Sequence, residues 1–400
     1  LVTLVDIREA ESRIRGKIIR TPLVYSPTFS SMSGAEVYLK LESMQKAGSF
    51  KVRGATNRIL SSRDAIGPAG VIAASAGNHA QGVAVAAGLA GVPAAIVMPE
   101  WTSLSKQEAS RGYGARVILA GTSLEESIVR AKELAGTEGM MFIHPYDDPA
   151  VVAGQGTIGL EILADLPDVD RVLVPVGGGG LIAGIALAVR GLRRSARVTG
   201  VQASACPSAI ASRERGGPVA VDAESTIADG IRVKRTGDLT FPLIRDLVDQ
   251  VVAVEEQAIL DAVLLLLERK KVLAEGAGAV PLAALLSGAV AVTPGEKVVL
   301  VISGGNVDTF LLERILKRGL FDSGRIARIA VLIKEDSRSL PALLEVVSRE
   351  GGVIGAVDQD RDDPGVPLDR MRVRIEVETR GPDHRDRILS ALQRAGYRPL

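Results

Sequence analysis

Three times along the chain an unbroken apolar run closes on a glycine-bearing loop and opens into a helical pattern. These are GVIAASAGNHAQGVAVAAGLAG (70–91), RVLVPVGGGGLIAGIALAVRG (171–191) and KVVLVISGGNVDTFLLERILKRG (297–319). A strand apolar at consecutive positions has both faces buried, and alternation with helices demands parallel α/β layers with helices on either side. In such sheets ligands bind beyond the carboxyl ends of the strands, which is where all three loops fall.

The chain has 400 residues, 46% of them hydrophobic and 24% charged, enough for two or three domains with sizeable cores. Its 48 Lys plus Arg against 47 Asp plus Glu leave no field that would draw it to nucleic acid or an anionic membrane, so small molecules or copies of itself are the expected partners. The first residues, LVTLVDIREAESRIRG, meet acidic side chains too soon for a signal-peptide apolar core, and the lone Cys206 cannot form an internal disulfide. Both features point to a cytoplasmic setting. The longest apolar stretch, Gly82 to Pro99, is broken by Gly91 and Pro93 and reads as a buried helix, a turn and a buried strand.

After Gly319 the pattern changes. FDSGR has linker character, and a domain boundary is expected near residues 321–326, separating a unit at 1–322 from one at 326–400. The tail reads as a strand (326–334), a helix (340–349), two strands (353–357 and 371–379), a helix (384–395) and a short last strand at YRPL, which is a small ferredoxin-like α+β unit. DQDRDDPGVPLD between its middle strands reads as an exposed loop.

The loops carry the chemistry. In PVGGGGL, Gly177, Gly178, Gly179 and Gly180 precede a helix opening near Leu181, so their N–H groups can converge on a phosphate; a tight turn alone would need only one glycine. Gly178, Gly180 and Ala183 also match a dinucleotide spacing, but Gln202 stands where the ribose-binding carboxylate would be sought, and no G-x-x-x-x-G-K-[ST] pattern exists. Ser75, Asn78 and His79 lie in SAGNHAQG, where helix N-capping is the simpler role, and Ser303 of SGGN holds the equivalent topological position. With three histidines in all and neither H-E-x-x-H nor C-x-x-C, neither zinc nor a histidine triad is expected. Lys51, in AGSFKVRGA, is either a solvated loop lysine or a desolvated amine free to react. A reactive lysine beside an anion cradle is what pyridoxal phosphate requires.

The ordered set VYLKLESMQKAGSFKVRGA, SAGNHAQG, PVGGGGL, AEGAGA and SGGN resembles the threonine dehydratases (threonine ammonia-lyases), fold type II pyridoxal phosphate enzymes of the tryptophan-synthase-β-like architecture. The likeness runs from about residue 4 to 320. It implies a catalytic unit of two α/β subdomains and pyridoxal 5'-phosphate as cofactor. It implies that Lys51 binds the cofactor covalently and acts as base at Cα, that Phe50 packs beside it and that Asn78 bonds its ring hydroxyl. Gly177 to Gly180 with Leu181 would hold the phosphate, and Ser303 would face the pyridine nitrogen. The substrate carboxylate would rest on Ser75 and the neighbouring Gly77, Asn78 and His79. The reaction implied is dehydrative deamination of L-threonine, and of L-serine, to 2-oxobutyrate or pyruvate and ammonia.

Two departures matter. Related serine racemases carry a second serine as opposite-face base, where this chain has Ala76, and they bind a divalent metal through carboxylates where this chain has Gln202 and Ser208, with Cys206 offering at most a backbone carbonyl, so neither racemisation nor a metal site is expected. The tail is similar to an ACT domain, a small-molecule sensor that often self-associates, but Ser339 and Val353 replace its signature glycine and asparagine. An amino-acid effector and a homodimer or homotetramer are therefore implied only by family. The rival readings are a cysteine-synthase-like β-replacement enzyme and an amino-acid-sensing regulatory protein that has kept the fold.

Overall fold

The computed structural model describes residues 2–361 and 364–400. The chain divides into two compact units, 1–307 and 308–400. The division precedes helix Thr309–Asp322, which therefore groups with the tail rather than with the first unit as the linker-like FDSGR suggested. Asp308 caps that helix through the amides of Phe310 and Leu311.

The first unit contains two sheets. One has six strands in the order Leu23–Tyr25, Glu36–Leu41, Lys297–Ile302, Arg171–Pro175, Arg197–Ala203 and Gln250–Val254. All neighbours pair parallel except the first two. The other is wholly parallel, in the order Arg116–Leu119, Ala94–Met98, Val71–Ala74 and Met141–Phe142. The continuously apolar strands are buried at every position of Val71–Ala74, Ala94–Met98 and Arg171–Pro175, as a doubly covered parallel sheet requires. The stretch from Gly82 to Pro99 forms the end of helix Asn78–Ala90, a turn at Gly91 and strand Ala94–Met98. Strands Val71–Ala74, Arg171–Pro175 and Lys297–Ile302 deliver the SAGN, GGGG and SGGN loops at their carboxyl ends.

The second unit is a three-stranded antiparallel sheet ordered Ile326–Lys334, Arg370–Glu378, Val353–Asp360, with helices Ser339–Arg349 and Pro382–Arg394. Alternate residues of the first and third strands in the chain, Ala327 to Ile333 and Met371 to Val377, form one core with Leu343, Val347, Ile388 and Leu392 from the helices. A bridge between Val331 and Pro399 places the chain end beside the first strand, completing a ferredoxin-like order. The edge strand Val353–Asp360 runs beyond its expected end at Val357, because Asp358 and Asp360 face Arg374 across the sheet as charge pairs. Asp362 and Asp363 of the expected loop lie outside the described residues. Among the described residues no helix is long and apolar enough to cross a membrane.

Candidate active site

Lys51 opens helix Lys51–Ser61, directly after a backbone segment tied to the end of strand Lys297–Ile302. Phe50 N donates to Ser303 O at 3.1 Å, and Gly305 N donates to Gly48 O at 2.9 Å. This lacing carries Lys51 to the carboxyl ends of the sheet. Its Nζ lies 5.2 Å from the centroid of the Phe50 ring and donates to Pro145 O at 2.8 Å. Burial pulls the amine from its ordinary 10.5 to about 8, with the charge of Glu275 opposing. The positive end of the helix dipole at this position works in the same direction as burial.

The helix behind Lys51 is clamped by a buried charge box. Arg53, fully buried, donates through Nε and Nη2 to Glu42 at 2.8 Å each, and through Nη1 to Glu161 at 2.7 Å. Lys40 reaches the same Glu161 at 2.5 Å. Burial opposes the charge on Arg53, but the two carboxylates outweigh it and raise its pKa, while Lys40 is lowered by burial despite Glu161. The box joins strand Glu36–Leu41, helix Lys51–Ser61 and helix Pro149–Asp165, and fixes where Lys51 points.

The turn that receives Lys51 is also built. His144 Nδ1 accepts from Tyr146 N at 3.3 Å and Asp147 N at 2.8 Å, and Asp147 in turn accepts from Asp238, Leu239 and Thr240 N. The Tyr146 ring lies against Gly178, so closely that a Cβ there would overlap it. Gly179 has φ 99°, which an L side chain resists, and serves as N-cap of helix Gly180–Leu192. Among the described residues the amides of Gly177 to Leu181 meet no protein acceptor, which leaves a row of donors at a helix N-terminus.

In the SAGN loop, Ser75 Oγ accepts from Gly77 N at 3.1 Å, and a Cβ on Gly77 would meet open space. The His79 side chain turns away: it is buried, bonded to Ile143 O at 2.9 Å, and burial with the Lys51 charge brings its pKa to about 3. It stays neutral, and only its backbone N–H remains available toward the loop. Asn78 Nδ2 donates to Glu275 Oε1 at 2.6 Å, and Asn78 Oδ1 accepts from Asn306 Nδ2 at 2.8 Å. Burial and Asp229 lift Glu275 to about 7, against the Asn78 hydrogen bond, Lys106 and Lys51.

Ser75, Asn78, Lys51, the four glycines and Ser303 thus converge from three strand ends. The sequence by itself gives Glu275, Asn306 and Tyr146 no role. Glu275 was detectable as the one charge in VLAEGAGAVPLAALL, a run whose apolarity requires its burial. Gln202, fully buried, donates to Val176 O at 3.2 Å and accepts from Ala209 N at 2.9 Å and Ile210 N at 3.2 Å, so it caps a helix. Burial raises the Cys206 thiol, consistent with a small apolar side chain. Among the described residues no group of three or more His, Cys, Asp or Glu could hold a metal ion.

A half-buried lysine whose charge burial disfavours, and a glycine-rich helix N-terminus whose amides meet no protein acceptor, fit a pyridoxal phosphate site, and the comparisons agree. Residues 14–304 match the family described as pyridoxal-phosphate dependent enzyme, and the chain belongs to it. It is 46% identical over 397 residues to an L-threonine ammonia-lyase of Thermotoga maritima, covering 99% of this chain and 98% of that protein. It is 36% identical to the solved processed form of threonine deaminase isoform 2 from Solanum lycopersicum, covering 78% of this chain and 86% of that one with a TM-score of 0.74. Maize serine racemase is 38% identical over 80% of this chain and 98% of its own, with a TM-score of 0.75.

The residues present fit the cofactor on three grounds. The glycine amides have no protein acceptor, the Lys51 amine is held near 8, and the buried Ser303 lies at the end of strand Lys297–Ile302.

Proposed function

We propose that this protein is a threonine ammonia-lyase, converting L-threonine, and L-serine, to 2-oxobutyrate or pyruvate and ammonia. The observation that carries the reading is the near full-length match to an L-threonine ammonia-lyase, with Lys51 as an amine whose charge is disfavoured at the expected place. The bound cofactor supplies an electron-withdrawing ring that makes the substrate Cα proton acidic. Gly177 to Gly180 and Leu181 would hold its phosphate through backbone N–H groups, Asn78 would donate to its ring oxygen, and Phe50 would pack beside it. Lys51 would anchor it, and its amine, whose charge burial disfavours, would serve as the base that takes the proton from the substrate Cα. Ser75 and the N–H groups of Gly77, Asn78 and His79 hold the substrate carboxylate.

Ser303 would offer the ring nitrogen a neutral hydroxyl. A carboxylate there would keep that nitrogen protonated and deepen the electron sink; a hydroxyl leaves less charge in the ring and favours prompt loss of the β-hydroxyl. Ala76 supplies no base on the opposite face, which argues against racemisation. Preference between threonine and serine rests on one methyl group, worth about 1–3 kcal/mol.

The protein works in the cytoplasm, where the unpaired Cys206 stays reduced, and assembles as a homodimer or homotetramer. The division of labour is a catalytic first unit and an ACT-like tail. In the tail, the amides of Arg338 and Ser339 are already taken by Asp336 at 2.8 Å each, which favours a structural, self-associating role over effector capture at that loop. Feedback by isoleucine or valine through the tail would appear as different kinetics in full-length and tail-deleted protein. The main test is 2-oxo acid release from L-threonine and L-serine by purified protein with pyridoxal phosphate. Rapid 2-oxobutyrate formation supports the reading, and silence with both substrates despite bound cofactor sinks it.

A further inference from the structure

Asn78 does not stand alone. Ala47 O accepts from Asn306 Nδ2 at 2.6 Å, and the same Nδ2 donates to Asn78 Oδ1 at 2.8 Å. Asn78 Nδ2 then donates to Glu275 Oε1 at 2.6 Å. The order of these bonds has one sense. A backbone carbonyl can only accept, so the amide nitrogen of Asn306 must face Ala47; its second N–H needs an acceptor, which Asn78 supplies with its oxygen. That turns the Asn78 nitrogen toward Glu275, whose Oε1 accepts from it. One N–H of Asn78 remains as an outward donor.

Space for this relay is cut by glycine. A Cβ on Gly48 would overlap the Asn306 side chain, and a Cβ on Gly304 would overlap Glu275 Oε1 and stand 3.2 Å from Asn78 Nδ2. Ala47, the anchor, holds φ 61°, a left-handed conformation unfavourable for alanine. The anchor, the amide and the carboxylate come from three segments: the loop before Lys51, SGGN, and AEGAGA.

We propose that Asn306 and Glu275 are positioning residues that fix the Asn78 carboxamide in the sense that presents an N–H, never the carbonyl oxygen, to the cofactor ring oxygen. That donor stabilises the ionised ring oxygen, so the relay sets the protonation of the bound cofactor. The inference rests on the proposed contact between Asn78 and the ring.

The test is the visible absorption of the bound cofactor across neutral pH, with pyridoxal phosphate affinity and melting temperature, for wild type, Asn306→Asp, Glu275→Gln and Glu275→Leu. Asn306→Asp is isosteric but cannot donate to Ala47 or Asn78. It is expected to move the midpoint of the long-wavelength band by about one pH unit or more and to weaken cofactor binding about tenfold, equivalent to about 1.4 kcal/mol. Glu275→Gln still accepts from Asn78 and should keep affinity within about twofold, while Glu275→Leu should follow Asn306→Asp. A folded Asn306→Asp protein with wild-type midpoint and affinity overturns the relay. So does Glu275→Gln behaving like Glu275→Leu, which keeps the proposal falsifiable if the Asn306 variant does not fold. An Asn78→Ala control with an unchanged band would break the underlying contact, and absence of any band in wild type would break the cofactor assignment itself.

Discussion

Lys51 and Arg53 lie two residues apart on one helix and have opposite fates. Arg53 is fully buried yet fully paired, bridging Glu42 and Glu161 so that its charge is held more firmly than in water. Lys51 is half-buried and meets a carbonyl, not a carboxylate, so burial erodes its charge toward a pKa of about 8. The same desolvation is offset in one case and left standing in the other. A cation with partners holds structure, and a cation denied them keeps a lone pair within reach of neutral pH.

The largest effect that would test this contrast is at Lys51. Lys51→Ala should lose covalent cofactor attachment and reduce turnover by at least about 10³-fold with little change in folding, read by spectrum, kinetics and melting temperature together. Arg53→Met should do the reverse in kind: it strands Glu42 and Glu161 and should cost about 3–5 kcal/mol of stability by denaturant titration. An Arg53→Met protein as stable as wild type would end the comparison.

pH sharpens it further. Capture of pyridoxal phosphate by cofactor-free protein should accelerate as pH rises, with a midpoint near the pKa of about 8. For stability, the depressed Lys51 value means the unfolded chain binds more protons between about 8 and the ordinary 10.5, so this group's contribution improves as pH rises through that window. Glu275 has the opposite sign. Raised from 4.5 to about 7, it makes the folded state bind more protons in that interval, so stability falls as pH rises through it. Glu275→Gln should flatten that slope in melting temperature against pH. The smallest effect is expected at His79, which at about 3 stays neutral in the working range. His79→Asn should leave the shape of the activity–pH profile above about pH 5 unaltered, and a lost inflection would show that it titrates after all.

Much of this is legible in the sequence. The three strand–glycine–helix runs specify the parallel layers because continuous apolarity leaves a strand no face to show water, and the alternation in 326–334 and 371–379 specifies the tail sheet for the converse reason. The glycine loop and Lys51 can be singled out because small or charged residues at strand ends are not explained by packing. The end of helix Thr309–Asp322 marks no unit boundary, because its allegiance depends on packing that periodicity does not encode. The strand ending at Asp360 runs past its polar signal because a cross-strand arginine supplies a partner that a one-dimensional pattern hides.

Sequence by itself therefore determined the layers, the loops and the reactive residue types, since these follow from local polarity and backbone permissiveness. Only the tertiary structure decided that Lys51 lacks a carboxylate partner while Arg53 has two, that His79 faces inward, and that Asn306, Asn78 and Glu275 form a directed chain. The reason is physical: a pKa or the sense of an amide is set by groups far away in the chain that arrive within about 3 Å only when the fold closes.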